Sequence, residues 1–167
     1  IDSETVRNYI TIEPGKNFTS EDINASVKAL YATGLFSDVK IEGERILAGA
    51  AVPLTALISQ AARAGLAGLE VLTGIPGTVG GALRGNAGSR QGAIGPFVGR
   101  ATVLDASYEV QVRERDDLSF VGRESNLDEP VILSAEFELS AEDPEAVVRR
   151  MRRIWIVKKE NQPYGHQ

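Results

Sequence analysis

The sequence predicts an α+β fold, a small mixed sheet with helices packed on it, from three observations. Phe97 to Asp105 and Val131 to Leu139 alternate apolar and polar residues over strand lengths. Ile23, Val27, Leu30 and Tyr31, and again Leu54, Leu57, Ile58 and Ala61, recur at helical spacing behind recognisable start signals. Between these segments lies Gly74 to Gly88, in which six of fifteen residues are glycine, too poor in side chains to be core strand or core helix.

In chain order, Asp2 or Ser3 can cap a short helix running through Ile10, and Glu13 to Lys16 reads as a turn. Thr19 stands at an N-cap position, with Asp22 three residues on and Phe18 and Ile23 placed as a hydrophobic staple; Gly34 ends that helix. Leu35 to Ile41 alternates as a strand. Val39 to Glu42, the turn Gly43-Glu44 and Arg45 to Ala48 form a hairpin. Pro53 occupies the favoured first position of a helix that stops at Gly65. Beyond the glycine stretch, Phe97 to Asp105 pairs with Glu109 to Arg113, and Val131 to Leu139 is a longer strand. Asp143-Pro144-Glu145 opens a last helix carrying Val147, Val148, Met151, Ile154 and Trp155 on its core side.

Composition removes several kinds of chemistry. The 167 residues suit one domain, or one domain with a small appendage. There is no cysteine, which excludes disulfides and thiolate ligands, and the single histidine, His166, leaves no ordinary zinc site, so no metal site is expected. A formal charge of −5 argues against nucleic acid as a partner, because that binding depends on neutralising phosphates. No apolar run has the length of a membrane span and no basic segment followed by an apolar one opens the chain, so neither membrane insertion nor export is expected.

The glycine stretch costs conformational entropy that burial does not return, which points to something lying close to its backbone. Its spacing suggests a tight loop entering a short helix whose first amides are unpaired and able to hold a phosphate. It is neither a dinucleotide fingerprint nor a P-loop, and glycines that merely permit close packing of helix on strand remain the alternative. Ser89, Ser125 and Ser134 have no evident histidine partner, which disfavours a serine hydrolase.

Four motifs in order carry a resemblance: Gly68-Leu69-Glu70; Gly74-Ile75-Pro76-Gly77-Thr78-Val79-Gly80-Gly81-Ala82; Asn86-Ala87-Gly88; and Phe120-Val121-Gly122-Arg123-Glu124-Ser125. From about Ile46 to Gln167 the chain resembles the second half of the FAD-binding domain, of the PCMH or MurB type, of the UDP-N-acetylenolpyruvoylglucosamine reductases, also called UDP-N-acetylmuramate dehydrogenases. The resemblance implies FAD as cofactor, NADPH as reductant, a nucleotide-sugar substrate and a cytoplasmic setting. It implies that Gly74, Gly77, Gly80 and Gly81 offer backbone contacts to FAD, that Ile75, Pro76 and Thr78 shape the wall, and that Asn86 lies near the flavin.

The same resemblance makes Arg123 the catalytic candidate, a cation that stabilises the charge developing as hydride reaches the substrate. The family's Tyr-Arg-x-Ser reads Gly122-Arg123-Glu124-Ser125 here; the alternative is a surface arginine paired with Glu124 or Asp128. Gln162-Pro163 matches the family's Gln-Pro before its substrate domain. The family's first flavin loop, of Gly-x-Gly-Ser-Asn type, does not occur, nor do the proton-donating serine and the substrate domain. Arg149, Arg150, Arg152, Arg153, Lys158 and Lys159 read as a solvated helix face, with recognition of a nucleotide diphosphate as the alternative.

Residues 1–43 resemble something else. Pro14-Gly15-Lys16, Phe18-Thr19, Asp22-Ile23 and Ala29-Leu30-Tyr31-Ala32-Thr33-Gly34-Leu35-Phe36-Ser37-Asp38-Val39 are similar to part of a POTRA repeat of outer-membrane β-barrel assembly factors. Such repeats are periplasmic and bind protein partners at a sheet edge. Taken together, the expectation is a partial POTRA-like block at 1–43 and a flavin subdomain at 44–167, joined through the hairpin into what could be one continuous domain. Such a chain is a fragment or fusion of the reductase, with a non-catalytic binding module or a recombined or designed fusion as the alternative.

Overall fold

The computed structural model describes residue 4, residues 20–34 and residues 36–161. The expected first helix, the Glu13 to Lys16 turn, the Thr19 cap with its staple, Gln162-Pro163 and His166 lie outside the described residues. The elements are α1 (Ser20–Ala32), β1 (Val39–Glu42), β2 (Arg45–Gly49), α2 (Leu54–Arg63), β3 (Leu66–Ala67), α3 (Val79–Arg84), β4 (Gly88–Ser89) and β5 (Gly92–Ala93). There follow β6 (Val98–Leu104), β7 (Val110–Glu114), β8 (Phe120–Val121), β9 (Glu124–Ser125), β10 (Val131–Glu138), β11 (Ser140–Ala141) and α4 (Pro144–Asn161). Short 3-10 turns at Leu69–Leu72, Gly95–Phe97 and Arg115–Asp117 connect them.

The fold is α+β, as the sequence predicts, but the sheet is not mixed. Its five strands run in the order β1-β2-β10-β6-β7 and every pairing is antiparallel. The helical connection from β2 to β6 does leave those two strands parallel, which is what a crossover predicts. Long-range pairing then inserts β10 between them, antiparallel to both. The hairpin expected at Gly43-Glu44 is present, with Glu42 opposite Arg45.

Being central, β10 is buried on both faces. Ile132, Ala135 and Phe137 join the main core with Leu54, Leu57 and Ile58 of α2 and Val79 and Leu83 of α3. Val131 and Leu133 join a second core with Leu30, Phe36, Leu104 and Tyr108, against which Val27 and Tyr31 pack. α1 thus packs on a sheet built from later strands. Leu30 is fully buried, worth about 2 kcal/mol toward holding α1 in place.

Residues 36–38 reach β1 by crossing tightly over the end of β2. Gly49 N–H donates to Asp38 O at 2.9 Å and Ala51 N–H to Phe36 O at 3.0 Å. A Cβ on Gly49 would lie 2.0 Å from Phe36 O. The strand expected from Leu35 therefore starts only at Val39, since Phe36 and Asp38 spend their carbonyls on this crossing.

Two sequence expectations shift along the helices. Pro53 caps α2 rather than opening it, because its carbonyl is already accepting from Leu57 N–H and its backbone is extended at ψ 134°. Trp155, expected in the core, is 49% exposed beside Ile156 at 51%. Only the first half of α4 lies over the core, with Val147 fully buried.

Two polar contacts hold α4 down along its length. Glu70, 4% exposed, accepts from Gly68 N–H at 2.6 Å and pairs with Arg150 at 2.6 Å; Arg150 also pairs with Glu142. The hydrogen bonds to Glu142 and then Glu70 push the Arg150 guanidinium pKa above its ordinary value. Further along, Lys158 donates to Thr73 O, and burial lowers its pKa.

Gly49→Ala is expected to lower the unfolding free energy by about 3 kcal/mol, the upper range for forced overpacking, because the clash is with backbone. An unshifted urea midpoint would mean that 36–38 do not cross there. Arg150→Met is expected to cost about 2 kcal/mol, a buried-pair penalty reduced for an arginine that is partly solvated. Adding Glu70→Gln should restore part of that loss, since the stranded charge disappears; a further drop in the urea midpoint would contradict this account.

Candidate functional site

The glycine segment is fixed by backbone pairing with the chain that leaves β2. Leu54 N–H donates to Gly77 O at 2.8 Å, Val79 N–H to Val52 O at 2.9 Å and Gly80 N–H to Ala50 O at 2.9 Å, with Pro53 and Thr78 bridged as in an antiparallel ladder. The Thr78 hydroxyl caps α3 by accepting from Gly81 N–H at 3.2 Å. A loop entering a short helix is therefore present, but its first amides are not unpaired. All three are bonded within the chain, which removes the expected phosphate site at this helix end.

The glycines in the segment serve different ends. A Cβ on Gly80 would stand 2.7 Å from Tyr31 Oη and 3.1 Å from Ala50 Cβ, so Gly80 is a packing glycine. Gly77 has nothing within 4 Å of where its Cβ would be, and Gly81 meets only Thr78 Oγ1 at 3.5 Å. These two leave bare peptide open to a neighbour.

The candidate cofactor residues do not all face one space. Thr78, Gly80 and Gly81 line a cleft of about 460 Å³ with Val27 and Tyr31 of α1, Arg84, and Asp128 to Ile132. Gly74 and Ile75 border a different cleft of about 580 Å³, with Ser89 to Gln91 and Lys158. Pro76 and Gly77 are exposed between them.

The first cleft has built walls. Tyr31 Oη donates to Ile132 O at 3.2 Å, and burial raises its pKa. Arg84 donates to Leu127 O at 2.9 Å and Glu129 O at 3.0 Å. Glu129 is paired through one carboxylate oxygen with Arg113, while the buried Oε2 has no hydrogen-bond partner among the described residues. An open Gly81 backbone in a cleft walled by Val27, Tyr31 and Val131 suits a ligand with a flat face, which a flavin presents. The residues fit such a group.

Asn86 and Arg123 are linked through the carbonyls of Gly122 and Gly88. Asn86 is 6% exposed with φ 45°; its Nδ2 donates to Gly122 O at 3.0 Å and its Oδ1 accepts from Gly95 N–H at 3.1 Å. Arg123 Nη1 donates to Gly88 O at 2.9 Å. Ser125 Oγ donates to Arg84 O at 2.8 Å, satisfying a carbonyl at the end of α3. The β8-β9 hairpin is thus tied to residues 84–95 at three points. Asn86 is a buried strut here, and among the described residues Arg123 has no ion pair with Glu124 or Asp128.

Sequence reasoning missed Tyr31, Arg84 and Glu129 as cleft residues. Tyr31 read as one more apolar-face residue, and nothing local marks an arginine whose carbonyl partners lie more than forty positions away.

A family described as FAD binding domain matches residues 15–111, opening ahead of the Ile46 at which the flavin resemblance was expected to begin. A UDP-N-acetylenolpyruvoylglucosamine reductase of Rhodopirellula baltica is 34% identical over 127 residues, 76% of this chain and 42% of that protein. One from Syntrophus aciditrophicus is 35% identical over 162 residues, 93% of this chain and 51% of the relative. The crystal structure of UDP-N-acetylenolpyruvylglucosamine reductase (MurB) from Thermus caldophilus superposes with a TM-score of 0.68 at 33% identity, covering 77% of this chain and 47% of that one. The chain spans about half the length of the curated relatives it matches. With more than half of its residues inside the family match, and the open glycine backbone and hairpin in place, the chain belongs to the FAD-binding domain family.

Proposed function

We propose that this chain is the FAD-binding part of a flavin-dependent UDP-N-acetylenolpyruvoylglucosamine reductase, acting in the cytoplasm on a nucleotide-sugar enolpyruvyl ether with NADPH as reductant. The observation that carries the reading is the unit formed by Asn86, Gly88 and Arg123 at the end of the glycine segment. It supports a guanidinium held at a set place on the β8-β9 hairpin.

In this reading FAD supplies hydride transfer to carbon when bound. The chain's own contribution is positioning. Gly77 and Gly81 let the cofactor approach peptide groups, and Thr78, Arg84 and Glu129 border the space it enters. Arg123 spends one nitrogen on Gly88 O, and its exposed remainder faces the negative charge that develops on the substrate, a role worth about 3 kcal/mol in preorganised sites. Gly74, Ile75, Pro76 and Gly80 act through the fold of the segment. The domain division proposed is 1–43 and 44–167, with α1 of the first block packed on the five-stranded sheet and β1 of that block forming its edge.

A second reading has one observation in its favour. β1 is an edge strand carrying Ile41 at 43% exposure, so a POTRA-like block there could add a partner strand without any catalysis.

Two experiments decide between these readings. Purified chain titrated with FAD should show saturable change in flavin absorbance, and Gly81→Leu should weaken it about tenfold or more while leaving the thermal midpoint unchanged or higher, since helical glycine is unfavourable and the Cβ meets only Thr78. Equal FAD affinity in wild type and variant would remove the flavin from this cleft, and no binding at all would favour the edge-strand module. The 167 residues with FAD are also expected not to oxidise NADPH in response to the enolpyruvyl substrate; steady turnover would refute the proposed half-enzyme.

A further inference from the structure

Seven of the described arginines have partners of two kinds. Arg84, Arg115 and Arg123 donate to backbone carbonyls, while Arg45, Arg100, Arg113 and Arg150 pair with glutamates. Arg63, Arg149 and Arg152 do neither among the described residues, yet they converge. With Pro144, Glu145 and Val148 they line a cleft of about 480 Å³ between the end of α2 and the start of α4. Three guanidiniums around a single carboxylate repel one another, and an anion seated among them relieves that repulsion.

Arg152 also borders the next cleft along α4, of about 450 Å³, whose wall is Ile58, Met151, Trp155 and Ile156 with Thr73 and Gly74 at its floor. The exposed Trp155 and Ile156 are part of this wall, and Lys159 Nζ sits 4.8 Å from the Trp155 ring centroid. An apolar hollow of small-ligand size therefore adjoins a cationic one through a shared arginine. We infer that these two clefts form a single site for a free amphiphilic anion, its alkyl body in the hollow lined by Ile58, Met151, Trp155 and Ile156 and its carboxylate or phosphate head among Arg63, Arg149 and Arg152. Concave walls suit one molecule rather than the flat face of a bilayer. The site is separate from the cleft at Gly81 and does not depend on the flavin reading.

Trp155 is the only tryptophan in the chain, so its fluorescence reports on this site alone. Decanoate, monomeric at sub-millimolar concentration, is expected to shift Trp155 emission to the blue with saturation, and neutral decanol, kept below its own solubility limit at the same concentration, to bind about tenfold more weakly. Arg149→Gln with Arg152→Gln should weaken decanoate about tenfold or more without moving the thermal midpoint, because both side chains are exposed and make no ion pair among the described residues. Calorimetry should show one decanoate per chain. Equal response to decanol, indifference to the arginine variants, absence of any shift, or a shift only with anionic phosphatidylglycerol vesicles would each overturn the proposal, the last in favour of a membrane surface.

Discussion

The close approach of Gly80 to Ala50 governs the middle of this molecule. Two amides, those of Val79 and Gly80, donate to the carbonyls of Val52 and Ala50, and they reach only because no side chain stands between them. That contact seats α3 on the sheet, puts Val79 and Leu83 into the main core and sends the chain out toward Asn86. It has a chemical consequence too. A helix end whose amides are already bonded, that of Gly81 to Thr78 included, has little attraction left for a phosphate, so what Gly77 and Gly81 offer a neighbour is space beside the peptide rather than free donors.

Much of the local structure was legible because it is set by neighbours in sequence. Gly43-Glu44 dictates the hairpin, Pro144 the start of α4, and Leu54, Leu57 and Ile58 the buried face of α2. What was not legible depends on distant partners. Nothing near Val131 says that β10 slides between β2 and β6, which turns an expected mixed sheet into an antiparallel one. Glu70 and Arg150, eighty residues apart, likewise give no sign of each other in sequence. The site was half legible: glycines, Asn86 and Arg123 stand out as types, while the division of the glycine segment between two clefts follows from how α3 and α4 flank it.

The burial of β10 on both faces explains how α1 becomes part of the same body as the strands that follow it. With apolar residues on both of its faces, β10 needs cover on each side, and α2 with α3 supplies only one. Leu30, supported by Val27 and Tyr31, covers Val131 and Leu133 on the other. Tyr31 then does two things at once: its ring packs against both cores, and its hydroxyl bonds Ile132 O at the rim of the cleft that Gly81 faces. Whatever the origin of residues 20–34, they form a wall of the candidate site.

The placing of Arg123 follows from the same economy. An exposed arginine on a short hairpin has no fixed position of its own, since a two-residue ladder is too weak to hold one. Here the hairpin borrows rigidity from the glycine segment: Ser125 bonds the carbonyl of Arg84, the Arg84 guanidinium bonds Leu127 and Glu129, and Asn86 bonds Gly122. Gly81 and Arg84 lie on one helix that Gly80 anchors to the sheet. The position of Gly81 on α3 is therefore tied to that of Arg123 on the hairpin through Arg84, Ser125 and Asn86, and in the proposed reading this is what would set a cofactor against the cation, on a helix seated by the same backbone contact that made glycine necessary at position 80.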